Sequence, residues 1–275
     1  MTLLSRSSGK IRTMLTVWIW GGSHSWVSRC PFKAMIFDLD GTLVQTERLK
    51  AISYARATVA LCSEKITEEE VVDAFKEVVG LPRREVAQAL MERFHLEPEA
   101  LHRMAEFGVE TPWQVYIQVR MGIYEAMLAD PQVLLDHRWP HALALLNAAR
   151  RAYCRLGLAT QSRCEQARHV LQVLKLETAF DFIATREDVE RGKPDPEIYL
   201  LVAQELGVAP QACLVVDDSP AGVQAAVAAG MAVVAVSTPF TRRGLHASGL
   251  LPKGHIVDDP GELPGVVRHV LDHLP

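Results

Sequence analysis

The sequence is poor in the features that mark several large protein classes. It has five cysteines in 275 residues (Cys30, Cys62, Cys154, Cys164 and Cys213), an odd number with no C-x-x-C pair. That argues against a disulfide scaffold and a cysteine-built zinc site, and predicts reduced, buried thiols. No run reaches the ~18 apolar residues of a membrane-spanning helix; the nearest candidate, residues 14–20, is far too short. Neither charge dominates: 29 Lys+Arg against 33 Asp+Glu leave a formal −4, with no surplus of bases to displace phosphate counterions from nucleic acid. There is no H-E-x-x-H, no G-x-S-x-G, no G-x-x-x-x-G-K-[ST] and no G-x-G-x-x-G. Zinc-protease, serine-hydrolase, nucleotide-driven kinase and NAD-dependent readings lose their support. No internal repeat or low-complexity segment is present. What is there is ordinary globular composition, 49% hydrophobic and 23% charged.

Charge is unevenly spread. Residues 1–37 hold five bases and no acid, with three of the five tryptophans and six serines. A local +5 inside an overall −4 leaves −9 for the remainder. Such a leader has the composition of an organellar transit segment, or is an upstream extension ahead of a natural start near Met35. Residues 1–33 are therefore set apart. Residues 34–37 read as a buried strand with a polar exit at Asp38. From 47 to 129 the pattern is helical: Leu49, Ile52, Ala55 and Val59 recur at helical spacing over 47–62. Thr67 and Glu70 form a capping box, Pro82 opens a helix over 83–94, and 113–128 is amphipathic. After that, helices alternate with short apolar strands. Strands are predicted at 156–160, 180–184, 214–216, 232–236 and, weakly, 255–257. Helices are predicted at 140–152, 163–174, from Asp195 to Gly207, 221–229 and 263–274. Asp195 and Ser219 read as N-caps. Repeated βα units with all-apolar strands mean an α/β fold with a parallel sheet covered on both faces. Residues 34–45 and 130–275 form the core, and 46–129 an inserted helical cap.

Polar residues gather at four strand ends: Asp38-Leu39-Asp40-Gly41-Thr42, Thr160-Gln161-Ser162, Lys193-Pro194-Asp195 and Asp217-Asp218-Ser219. In open α/β sheets ligands bind at the carboxyl ends of strands. One strand-end aspartate alone is ordinarily a solvated turn residue or a cap. Four carboxylates at one site repel one another, and a hard divalent cation relieves them; all-oxygen donors suit Mg²⁺. A phosphate would complete the metal shell, with Thr160 and Lys193 as donors to its other oxygens. In D-x-D the two carboxylates leave an extended strand on one side, so one can act as nucleophile and the other as general acid and base. Gly41 allows the sharp turn out of the strand.

These motifs, in this order, resemble the haloacid dehalogenase superfamily of phosphotransferases, and within it the beta-phosphoglucomutase-like branch. The first motif is residues 37–44, the second 158–162, the third 192–196 and the fourth 216–226, and the likeness spans about 34–275. The resemblance implies a three-layer Rossmann-like core with a helical cap. It implies Asp38 as the nucleophile that becomes an aspartyl phosphate. Asp40 would protonate the leaving group and then activate water. Thr160 and Lys193 would hold the phosphoryl oxygens. Asp38, the backbone carbonyl of Asp40, Asp218 and Asp217 would face Mg²⁺, Asp217 directly or through water. An aspartate at the position of Asp40 separates phosphoryl transfer from dehalogenation.

In this branch the cap selects the substrate. Gly80-Leu81-Pro82-Arg83 resembles the loop whose arginine meets a distal phosphate, so Arg83 is a candidate substrate contact, with Arg120, Lys50 and Gln161 beside it. Two positions depart from the pattern: Gln45 stands where many relatives have aspartate, and Lys50 where the mutases have histidine. The departure at Lys50 favours a phosphatase over a mutase. The paired arginines of the loop 238–243 read as solvated. The expectation is a Mg²⁺-dependent phosphatase acting on a small phosphorylated metabolite such as a sugar phosphate. The alternatives are a phosphosugar mutase and a non-catalytic phosphometabolite sensor. The chain is expected to be a cytoplasmic monomer without nucleic-acid or membrane partners, or an organellar (for example plastid) protein if the leader is a transit segment.

Overall fold

The computed structural model describes residues 32–62 and 65–272. The basic leader, apart from Phe32 and Lys33, therefore lies outside the described residues. The first strand, β1 (Ala34–Phe37), is fully buried. It lies inside a sheet completed by β2 (Arg155–Ala159), β3 (Phe182–Ala184), β4 (Cys213–Asp217), β5 (Ala232–Val236) and β6 (Ile256–Val257). All neighbours are parallel, in the order β3-β2-β1-β4-β5-β6. Strand residues alternate between two apolar layers. Met35, Phe37, Leu214 and Val216 enter one; Ala34, Ile36, Cys213 and Val215 enter the other. This alternation is why the strands read as continuous apolar runs: both faces are covered. The chain winds outward in both directions from β1, so the carboxyl ends of β1, β2 and β4 flank the point where the strand order reverses. That is where an open sheet leaves a crevice.

Between β1 and β2 the described residues form eight helices: α1 (Thr46–Leu61), α2 (Glu68–Val78), α3 (Arg83–Arg93), α4 (Glu97–His102), α5 (Met104–Phe107), α6 (Pro112–Ala129), α7 (Pro131–Asp136) and α8 (Pro140–Arg151). The helices from α1 to α6 surround their own apolar cluster, built on Tyr54, Phe75, Leu90 and Tyr116. The capping box at α2 forms: Glu70 N donates to Thr67 Oγ1 at 3.3 Å, and Thr67 N to Glu70 Oε2 at 2.8 Å. Beyond β2 come α9 (Cys164–Leu174), α10 (Glu197–Glu205), α11 (Pro220–Ala228), α12 (Arg242–Ser248) and α13 (Leu263–Asp272). Ser219 caps α11 by accepting from Gly222 N at 3.0 Å. Asp195 accepts from Glu197 N at 3.0 Å, although Pro196 holds the cap position.

The structure departs from the sequence reading in three places. The arginine loop continues into α12, because buried Thr238 and Thr241 bond each other and close a turn ahead of it. Short helices α4, α5 and α7 are too brief for periodicity to reveal them. Cys62, Cys164 and Cys213 are free thiols, but Cys154 is disulfide-bonded, correcting the expectation of reduced thiols throughout; spacing along a chain does not report proximity in space. Among the described residues no helix is long and apolar enough to cross a membrane.

Candidate functional site

The four motifs converge at the carboxyl edge of the sheet. Asp38 follows β1 directly, its N–H continuing the ladder to Val216 O at 2.9 Å. Its Oδ1 accepts from Lys193 Nζ at 2.7 Å. The same ammonium donates to Asp217 Oδ2 at 2.7 Å and to Ala159 O at 3.1 Å. The Lys193 side chain is only 4% exposed, so it is a buried cation fixed between two carboxylates. Asp40 turns the other way. Its Oδ2 accepts from Ser162 Oγ at 2.5 Å and from Thr160 Oγ1 at 3.3 Å, while its Oδ1 is buried without a partner. Both acids lie past the end of β1, where the chain turns at Gly41, so the same-side placement expected of an extended D-x-D gives way to two different environments. One is clamped by an ammonium; the other is aimed by hydroxyls.

Asp218 lies against the turn after β1. Gly41 has φ +81°, and a Cβ there would collide with the Asp218 carboxylate. Glycine is thus required both by the left-handed turn and by the approach of the acid. Gly222 plays the second part for Asp217, whose carboxylate occupies the space of a Cβ.

These acids feel each other. Burial pushes the Asp38 carboxyl up to about 8, with Asp217 and Asp40 adding to the shift and Lys193 opposing it. Burial, then Asp217 and Asp38, carry Asp218 well above the ordinary carboxylate range. Burial also acts upward on Asp217, but Lys193, Tyr199 and the Ser219 N–H outweigh it and hold this acid low. Lys193 is carried well above its ordinary value: burial opposes the charge, and Asp217 and Asp38 more than offset it.

Among the described residues no three His, Cys, Asp or Glu side chains form a ready-made metal cage. A hard cation such as Mg²⁺ does not need one, because it is held by one or two carboxylates and completes its shell with water and phosphate oxygens. Asp218, with a buried Oδ2 that has no partner, and Asp38, destabilised as an anion first by burial and then by Asp217 and Asp40, fit that requirement. Asp217 is the most heavily bonded of the acids. Its Oδ1 accepts from Ser219 N and Oγ, and its Oδ2 from Lys193 and Tyr199, so both oxygens are engaged.

The cap contributes a second group. Arg120 of α6 is 4% exposed. Its guanidinium lies 4.9 Å from the Tyr54 ring centroid and 4.4 Å from that of Tyr124, and its Nε has no partner. Burial lowers its pKa. Tyr124 has a buried, unpartnered hydroxyl, pushed up to about 12 by burial and within electrostatic reach of Lys50 and Asp40. Lys50 bonds Glu47 at 2.6 Å. Its ammonium is strengthened by Glu47 and by Asp40, against the effect of burial. Arg83 is exposed and is felt electrostatically by Tyr54 and Arg120. Gln161 is exposed and packs on the Gly192 backbone, away from the acids' hydrogen bonds. A cavity of about 410 Å³ next to the turn after Asp40 is lined by Gly41, Glu47, Trp139 and Phe240; the site aspartates, Lys50, Arg120 and Tyr124 do not line it.

Sequence reasoning missed Ser162 as the partner of Asp40, and also Tyr54, Tyr124 and Tyr199. Ser162 stood inside the second motif; its signal was a hydroxyl two residues after Thr160. The tyrosines gave none beyond the rule that a buried phenol seeks a polar partner.

The sequence pattern of the haloacid dehalogenase-like hydrolases matches residues 32–230. The chain is 32% identical over 199 residues to the Phosphorylated carbohydrates phosphatase of Thermotoga maritima, covering 72% of this chain and 82% of that protein. It is 34% identical over 211 residues to Hexitol phosphatase A of Escherichia coli, covering 77% and 85%. In fold it is similar to the crystal structure of beta-phosphoglucomutase from Clostridium difficile, with a TM-score of 0.58 at 21% identity over 88% of this chain and 97% of that one.

Proposed function

The chain belongs to the haloacid dehalogenase-like hydrolases, and from that premise we propose that it is a phosphatase. It removes phosphate from a small phosphorylated metabolite, a sugar phosphate, through an aspartyl phosphate on Asp38 with Mg²⁺ as cofactor. The observation that carries the reading is the division of labour between Asp38 and Asp40: two acids, two residues apart, one clamped by a buried ammonium and one aimed by two hydroxyls. A binding protein has no use for the second acid. The relatives named as sugar-phosphate phosphatases support the substrate class.

In this mechanism an Asp38 oxygen attacks phosphorus in line, and the bond to the substrate oxygen breaks. Asp40 gives that oxygen its proton, then takes one from the water that hydrolyses the aspartyl phosphate. Ser162 and Thr160 hold Asp40 in line for both transfers. Lys193 balances negative charge beside Asp38 as the phosphoryl group passes. Asp38, Asp218 and the Asp40 carbonyl would hold Mg²⁺, which when bound neutralises phosphoryl oxygens and crowded carboxylates. Asp217 keeps Lys193 in place. Helices 46–129 act as the cap, and Arg120, Lys50 and Tyr124 meet the non-reacting part of the substrate; Arg83 and Gln161, both exposed, remain candidate contacts.

Asp38→Asn is expected to abolish Mg²⁺-dependent phosphate release from an aryl phosphate and from a panel of sugar phosphates. Retained turnover in this variant would overturn the mechanism.

A further inference from the structure

Six residues beyond Lys193, in the first turn of α10, stands Tyr199, completely buried. Its hydroxyl donates to Asp217 Oδ2 at 2.5 Å, the oxygen that also accepts from Lys193. Its ring lies 4.9 Å from Lys193 Nζ. The other three directions around that ammonium are taken by Asp38, Asp217 and the Ala159 carbonyl. Tyr199 therefore touches Lys193 twice, directly through its ring and indirectly through the acid they share. A lysine has four rotatable bonds and a charge that seeks water. Held only by two carboxylates and the Ala159 carbonyl, it could follow either acid.

We infer that Tyr199 is a positioning residue, fixing Lys193 midway between Asp38 and Asp217. The ring closes the face of the ammonium that neither carboxylate covers and excludes water from it. The phenol anchors Asp217 Oδ2, so that this acid cannot swing toward Asp38 or draw the lysine away from it. Ser219 fixes the other oxygen of Asp217 through its N–H and hydroxyl, at 2.8 and 2.9 Å, leaving Tyr199 as the restraint on the oxygen that matters. An ordinary core tyrosine would need only one acceptor for its hydroxyl. The ring over the ammonium is the additional contact that points to a role in holding the lysine.

The inference rests on the phosphatase reading of the site, and its test uses two independent readouts. Tyr199→Phe keeps the ring and removes the phenol. It is expected to lower kcat by about tenfold or more with KM within about twofold, since a hydrogen bond to a charged group is lost near the reacting phosphoryl. The melting temperature reports whether the variant is folded. The loss should not add to that of Asp217→Asn in a double-mutant cycle, because both act on Lys193. Acylation of Lys193 by acetic anhydride, followed by mass spectrometry with Lys253 as the exposed reference, should be several-fold faster in Tyr199→Phe and faster again in Tyr199→Leu. If wild type turns over and Tyr199→Phe matches it in kcat and in acylation, the positioning role is overturned and the phosphatase reading stands. If wild type releases no phosphate from any substrate, the phosphatase reading fails, and the acylation rates alone decide the role of Tyr199.

Discussion

Arg120 carries its charge where water barely reaches. Two tyrosine rings face the guanidinium, Nε is unpartnered, and among the described residues it pairs with no carboxylate. A buried cation without a counter-ion costs stability, and the proposed substrate contact of Arg120 would supply the missing partner. Replacing it with an apolar residue of similar volume separates the two effects. Arg120→Met is expected to leave the melting temperature unchanged or raised, while KM for a sugar phosphate rises about tenfold and kcat changes little. An unchanged KM in a folded variant would remove Arg120 from the substrate site. The sequence named Arg83 and Arg120 together by resemblance. Only packing separates them, because helical spacing puts a residue on a face without saying whether that face meets water.

At the scale of elements, the loop after β5 ties core to cap. Phe240 leaves the sheet edge and enters the apolar cluster of the cap helices, meeting Phe75 of α2 edge-on at 5.9 Å between centroids. Thr238 and Thr241 lock the loop that presents it, with Phe240 N donating to Thr238 Oγ1 at 3.2 Å. Removing a buried phenyl ring costs about 3 kcal/mol, and here the loss falls on the contact between core and cap. Phe240→Ala is therefore expected to raise KM and to speed amide hydrogen exchange in α2, leaving α11 protected as before. Equal acceleration in α2 and α11 would mean the ring supports the whole fold rather than the junction. The sequence showed β1, the capping box of α2 and the βα units after 140, because each has a local physical cause, but of this loop it showed only the arginines. Which helix would receive Phe240 was not legible, since 165 residues separate it from Phe75.

The whole molecule holds several acids close together under one edge of its sheet. Without a cation, the Asp38 carboxyl is raised from 3.8 to about 8 by burial and by Asp217 and Asp40, and Asp218 is also carried well above its ordinary value by burial, Asp217 and Asp38. Between those values the folded chain binds more protons than the unfolded one, so this contribution to stability falls as pH rises through the window. In chelator, the melting temperature is expected to drop from about pH 5 to about pH 8, and Mg²⁺ is expected to raise it more at the higher pH. Asp38→Asn should flatten both trends; an equal Mg²⁺ effect at both pH values would count against Asp38 as a ligand. The sequence by itself determined the α/β class, the helical stretch after the first strand, and the acids, hydroxyl and lysine that gather at the sheet's carboxyl edge. Apolar runs, caps and strand-end polar residues are set within a few residues of one another. The tertiary structure alone decided how those groups are shared. Asp217 faces Lys193 and Tyr199 rather than open space, Ser162 takes Asp40, and Arg120 lies buried between two rings. Such pairings depend on which side chains arrive at the same point from distant parts of the chain, and on how little water follows them.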